Sequence, residues 1–214
     1  ELHPNHPVQG SMLFTMNYDE KRSPESIFQR HKEWGEWFER DKKPLTVEFP
    51  NVRQPNRKLR IGYLSPDFGF HPVGYFFIDV LKGHNPDAVE VFLFSNRHEA
   101  DGDDKMSQEF REHVGEKHWM WTRGMPAKDL VRAIREREID ILVEMAGHTG
   151  HNRLDVCAHR AAPVQVEWLG YPNTTGLTTI DYRLSDAQTE PEGEADQRST
   201  EKIWRLPNGF HAIR

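Results

Sequence analysis

A chain of 214 residues with 36% hydrophobic and 11% aromatic side chains, including 12 Phe and 6 Trp, can close one or two packed domains and is too apolar to be disordered throughout. Lys and Arg number 28 against 34 Asp and Glu, a formal net charge of -6 with the 12 His neutral, so no global field favours nucleic acid as a partner. The single cysteine, Cys157, excludes an intrachain disulfide framework and a multi-thiolate zinc site and suits a reducing, cytoplasmic compartment.

No run approaches the roughly 18 apolar residues of a membrane span, and Glu1-Leu2-His3-Pro4 has no basic segment leading into an apolar one, so no membrane association is expected. The absence of an initiating Met suggests that a preceding segment has been excised. Residues 1–22 have weak periodicity and read as a lead-in. Ser23-Pro24 is an N-cap followed by proline at the first helical position, after which Ile27, His31, Trp34 and Phe38 recur at helical spacing. Such a stripe needs a partner surface. Packing on the chain's own core is the favoured expectation, and docking of an upstream module is the alternative. Residues 41–58, with Pro44, Pro50 and Pro55, read as a linker. The expected organisation is a helical connector and linker over 1–57 and a second unit over 58–214.

From Leu59 onward short apolar runs alternate with helical patterns. Leu59–Ser65, Val89–Ser95, Ile139–Met145, Val164–Leu169 and Ile180–Leu184 are predicted strands. Val73–Lys82, Lys128–Arg137 and Arg153–His159 are predicted helices, with another near Lys105–Val114. Residues 97–126 are the least legible, holding an acidic Glu99–Asp104 loop and the run His118-Trp119-Met120-Trp121. The alternation predicts βαβ units, hence an α/β, Rossmann-like three-layer lobe with a mainly parallel sheet. Ligands of such lobes bind outside the carboxyl ends of the strands.

That rule selects three loops: Asp67-Phe68-Gly69-Phe70-His71-Pro72, Gly147-His148-Thr149-Gly150-His151-Asn152 and Gly170-Tyr171-Pro172-Asn173-Thr174-Thr175-Gly176. Each combines glycine, which lets a ligand approach the backbone, with hydrogen-bonding side chains, as a sugar or phosphorylated ligand requires. His71 is the candidate for proton transfer, and the bland alternative is a His-Pro turn that only caps the next helix. His148 and Thr149 could orient a hydroxyl or phosphate, or simply hold the turn. Asp67 reads as a capping carboxylate ahead of a base, and Cys157 as a small core residue ahead of a nucleophile. His148, His151 and His159 lack the His-x-x-x-His spacing that aligns two metal ligands, so no metal is expected. No P-loop, Gly-x-Gly-x-x-Gly or Gly-x-Ser-x-Gly motif occurs.

Three ordered blocks carry a resemblance: Arg60-Ile61-Gly62-Tyr63-Leu64-Ser65-Pro66-Asp67-Phe68 with His71-Pro72-Val73-Gly74; Asp140-Ile141-Leu142-Val143 with Gly147-His148-Thr149 and Asn152-Arg153; and Ala162-Pro163-Val164-Gln165-Val166 with Trp168-Leu169-Gly170-Tyr171-Pro172 and Thr174-Thr175-Gly176. Together they resemble the O-linked N-acetylglucosamine transferase family with its SPINDLY relatives, over about residues 11–210 and most closely its bacterial, repeat-fused members. The resemblance implies the N-terminal lobe of a GT-B glycosyltransferase, inverting and metal-independent. Such an enzyme moves a sugar from a nucleotide donor, UDP-GlcNAc or GDP-fucose, to Ser or Thr hydroxyls of protein acceptors. It implies His71 as the catalytic residue, and Asp67, Pro72, Gly147, His148, Thr149, Gly170, Tyr171 and Pro172 around the substrate, with His151 standing where a small residue is usual. It also implies a second lobe that holds the nucleotide and lies beyond this sequence, which predicts that the chain alone is inactive, and upstream TPR-like helices. The rival expectation is a lobe that binds protein or nucleotide without turnover.

Overall fold

The structure, a computed structural model, describes residues 8–42, 48–97 and 103–211. Its centre is a seven-stranded sheet made of β1 (Leu59–Ser65), β2 (Val89–Ser95), β3 (Trp119–Trp121), β4 (Ile141–Glu144), β5 (Val164–Glu167), β6 (Tyr182–Asp186) and β7 (Lys202–Leu206). Every pairing is parallel, and the order across the sheet is β3-β2-β1-β4-β5-β6-β7. The chain therefore builds outward from β1 in one direction, then returns to the other side of β1 to lay down β4. The crevice at this reversal lies between the loops that leave β1 and β4.

Alternation along the central strands sorts side chains into two layers. Leu64, Phe94 and Leu142 join Leu130, Ile134, Leu154 and Val156 on one face. Tyr63, Leu93 and Val143 join Phe68, Phe77 and Phe110 on the other. The first layer is covered by α5 (Ala127–Glu136) and α6 (Leu154–Ala158), the second by α3 (Pro72–Gly83) and α4 (Lys105–Val114). Leu130, Val131 and Ile134 of α5 are wholly buried, and burying each such side chain contributes roughly 1.5–3 kcal/mol.

Two helices precede the sheet, α1 (Val8–Met16) and α2 (Pro24–Glu39). As read from its Ser-Pro start, α2 is capped by Ser23, whose side chain accepts from the Ser26 amide. Its Trp34 and Phe38 pack on the first layer, so the aromatic stripe meets the chain's own core. At its end the Glu39 carboxylate accepts the amides and hydroxyls of both Thr178 and Thr179. In packing terms α2 is part of that helical layer.

The strands β1 and β2 match their predicted bounds, whereas β3, β7 and α1 carry no expectation. The Trp-Met-Trp of β3 is too short to show alternation. Of β7's side chains only Ile203 is buried, so its outer-edge position leaves little pattern to read. Pro44 of the predicted linker and most of the acidic Glu99–Asp104 loop lie outside the described residues. Among the described residues no helix is long and apolar enough to cross a membrane.

Candidate functional site

The loop leaving β1 is wound tightly. Ser65 Oγ accepts the Asp67 amide, the Asp67 carbonyl accepts the Gly69 amide, and the Gly69 carbonyl accepts the His71 amide. The loop ends on His71, the N-cap of α3, with Pro72 at the first helical position. The cap is thus His71 itself and not Asp67: imidazole Nδ1 lies 3.3 Å from the Val73 amide. The Asp67 carboxylate lies beside it, with Oδ2 3.6 Å from the same Nδ1. Nδ1 therefore faces a donor and an acceptor at once. With the proton on Nδ1 toward Asp67, Nε2 is a base; with Nδ1 accepting from Val73, Nε2 carries the proton. The ring is about half exposed and Nε2 has no hydrogen-bond partner among the described residues, so it is free to meet a ligand.

Across the crevice, the Glu144 carboxylate at the end of β4 accepts the amides of Ala146 and Gly147 through Oε2 and folds the second loop back on itself. Burial pushes Glu144 up to about 8 against those amide donors, so near neutral pH it is held protonated. Thr149 Oγ donates to the Ala146 carbonyl. Gly147 has φ +52, and a Cβ on it would lie 2.3 Å from the Tyr171 Cβ, so only glycine serves here.

His148 and Tyr171 face inward, away from the open rim. His148 is 2% exposed, its ring edge-on to Trp34 at 4.5 Å, and its Nε2 donates to the Thr175 carbonyl at 2.8 Å. Burial, reinforced by neighbouring His31, drives His148 down to about 3, so it stays neutral near pH 7. The Tyr171 hydroxyl lies 2.6 Å from His31 Nε2 and 3.0 Å from Asn17 Nδ2. Because His31 Nδ1 is spent on the Ile27 carbonyl, Nε2 is the acceptor and the tyrosine the donor. The physical reason for this burial is the covering by α1 and α2, which close over the base of the second and third loops. Gly147 is buried with them, while Thr149 and Gly170 are half-buried and Pro172 is exposed. His71, Pro72 and, in part, Asp67 complete the accessible rim.

The remaining histidines do not converge. His151, in the left-handed region at φ +60, accepts from Arg123 through Nδ1. Among the described residues no three His, Cys, Asp or Glu side chains are grouped so as to hold a metal ion. Cys157 is buried in α6, where burial raises its thiol well above the ordinary value, which suits a core position. Two cavities, of about 660 and 430 Å3, lie at the opposite, amino-terminal end of the strands around Asp140 and His84. Some of their lining charges are paired structurally, as in Arg57–Asp140 and His118–Glu90.

Sequence reasoning missed Asn17, Glu144 and the part played by His31, and gave Asn173 only as a member of the third loop. Asn173 Nδ2 donates to Asn17 Oδ1, tying the third loop to the turn after α1. Only His31 had a legible signal, a polar ring within an otherwise apolar helical stripe.

The family model described as Glycosyl transferase family 41 matches residues 1–212. The chain is 40% identical over 200 residues to proteins of Solanum lycopersicum and Arabidopsis thaliana, each named as a probable UDP-N-acetylglucosamine--peptide N-acetylglucosaminyltransferase SPINDLY. Those alignments cover 92% of this chain and 21% of each relative. A second Arabidopsis thaliana relative, named SEC, is 34% identical over 154 residues, 72% of this chain and 15% of the relative. Among solved structures, a mutant of the Thermobaculum terrenum O-GlcNAc transferase superposes with a TM-score of 0.89 and 30% identity, over 97% of this chain and 38% of that one. The chain spans about a fifth of the length of the curated relatives it matches.

Proposed function

The chain belongs to glycosyl transferase family 41, and from this we propose that it is the acceptor-side lobe of an inverting protein O-glycosyltransferase that uses UDP-GlcNAc. The observation that carries the reading is His71, held by the N-terminus of α3 at the strand-order reversal with Asp67 3.6 Å from Nδ1 and Nε2 unbonded. An acceptor Ser or Thr hydroxyl gives its proton to Nε2 as its oxygen attacks the anomeric carbon. The bond from that carbon to the nucleotide diphosphate breaks on the opposite face, which inverts the configuration. Asp67 supports the tautomer with Nδ1 protonated and steadies the imidazolium that forms. Gly170, Pro172 and Thr149 border the acceptor's path, while buried His148 and Tyr171 shape the rim from beneath. The departing diphosphate needs fixed positive charge, which this reading assigns to a second lobe. Upstream repeat helices would meet α1 and the turn that follows it, where Met12 and Tyr18 are exposed.

The test is transfer from UDP-GlcNAc to an acceptor peptide by the two-lobe protein, with these 214 residues alone as the comparison. Transfer by the long protein and none by the lobe supports the reading. Transfer from GDP-fucose in its place would keep the lobe and replace the donor. Peptide or nucleotide binding with no transfer from either donor would make this a binding module.

A further inference from the structure

The acidic loop that was hardest to read from sequence ends on a carboxylate with an unusual set of donors. Asp104 caps α4, accepting the Ser107 amide on Oδ1 at 2.9 Å. Its other oxygen, Oδ2, accepts the Phe70 amide at 2.9 Å and Arg97 Nη2 at 2.7 Å. Both partners of that ion pair are largely buried, at 15% and 9% exposure. Burial alone would raise Asp104, but the two amides and the guanidinium outweigh it and hold the carboxyl below its ordinary value. Around it the loop after β1 is gripped residue by residue: Ser107 Oγ donates to the Phe68 carbonyl at 2.8 Å, and the Arg97 guanidinium lies over Gly69 so closely that a Cβ there would fall 2.0 Å from Nη1. Two residues beyond Gly69 is His71, whose own amide is bound by the Gly69 carbonyl.

We propose that Asp104, clamped by Arg97, is a positioning residue for His71: it anchors the Phe70 amide so that the imidazole is held against Asp67 with Nε2 turned to the rim. This rests on the reading of His71 as the proton acceptor. A helix cap as such would need only the Ser107 amide; the second oxygen is spent across 34 residues on the backbone beside His71. The charge on Asp104 is retained because a neutral side chain could not hold both Arg97 and the Phe70 amide on one oxygen with equal strength.

Two experiments separate the positioning claim from the reading beneath it. In the 214-residue chain, amide exchange at Phe70 and the imidazole nitrogen shifts of His71 are followed by NMR in wild type, Asp104→Asn and Asp104→Ala, with His84 at the far end of α3 as the internal control. Asp104→Ala is expected to speed Phe70 exchange at least about 10-fold relative to wild type and to alter the His71 nitrogen pattern while His84 stays unchanged. Asp104→Asn, which keeps an acceptor and the helix cap, is expected to show a smaller change in the same direction, and it carries the test if the alanine variant does not fold. An unchanged Phe70 and His71 in a folded variant overturns the proposal. In the two-lobe protein, Asp104→Ala should lower kcat about 10-fold with KM for the nucleotide sugar unmoved, and should add nothing in a His71→Ala background. A large loss in His71→Ala with none in Asp104→Ala overturns the positioning role. Full activity in His71→Ala overturns the reading of His71 and leaves the NMR result to decide the anchoring.

Discussion

Gly35 in α2 and Gly176 in the third rim loop meet backbone to backbone: a Cβ on Gly35 would lie 1.8 Å from the Gly176 carbonyl oxygen, and one on Gly176 would lie 2.1 Å from the His31 carbonyl oxygen. The connector helix reaches the rim loop only because neither residue has a side chain. Elsewhere in a helix, Gly→Ala is favourable by about 1 kcal/mol. Here the overlap is with backbone that cannot swing aside, so Gly35→Ala is expected to destabilise by at least about 2 kcal/mol. Thermal melting checks this, with a fall in Tm of about 4 °C or more expected for a chain of this length. A Tm equal to or above wild type would show that α2 does not sit on Gly176.

The Tyr171 hydroxyl serves His31 as donor and Asn17 as acceptor. Tyr171→Phe keeps the ring and strands His31 Nε2 in a buried site, where an unsatisfied polar group costs about 1–3 kcal/mol, while Asn17 Nδ2 keeps the Leu13 and Phe14 carbonyls. Urea unfolding should show a loss in that range with an unchanged m-value. Adding His31→Phe should recover part of the loss, since the pair is then apolar on both sides.

Two buried titrations act on stability in opposite directions. Glu144 is raised from 4.5 to about 8 in the folded chain, so the folded state holds a proton that the unfolded state releases, and stability falls as pH rises from about 4.5 to 8. His148 is lowered from 6.5 to about 3, so its contribution is lost as pH falls from about 6.5 toward 3. Each is worth on the order of a few kcal/mol. Glu144→Gln is expected to flatten the alkaline limb above about pH 6.5, and His148→Gln, which keeps a donor for the Thr175 carbonyl, the acid limb below about pH 4.5. Tm measured from pH 3 to 9 decides both; a variant whose limb keeps its wild-type slope refutes that assignment.

His71 caps α3 in the tautomer that carries its proton on Nε2 and offers Nε2 as a base in the tautomer protonated on Nδ1, and one substitution separates the two roles. Asparagine is a good N-cap and cannot take a proton at neutral pH. In the two-lobe protein, His71→Asn should therefore keep Tm within a degree or two while turnover falls by about 10²–10⁴. His71→Ala should show the same loss of turnover with a further stability cost of about 0.5–2 kcal/mol from the missing cap. Turnover that survives in His71→Asn would reduce His71 to a helix cap.

Much of this protein was legible in its order of residues. Alternating strand and helix patterns located β1, β2 and the central helices, and Gly, His and Pro at the strand ends marked the loops around the reversal, because periodicity and turn chemistry are properties of neighbours in sequence. The cap at His71 was likewise readable as an alternative from the His-Pro pair. What those loops do with their side chains was decided elsewhere in the chain. His148 and Tyr171 are turned inward by helices that begin more than 120 residues earlier, as the 140-residue separation of His31 from Tyr171 makes plain. Asp104 reaches the Phe70 amide across 34 residues from a stretch without readable periodicity. Burial, tautomer and pKa depend on what packs over a group, and packing brings together residues whose spacing in sequence carries no trace of the contact. Local pattern therefore named the rim, and only the tertiary structure divided it into the few groups that stand open at the rim and those that hold the rim in shape.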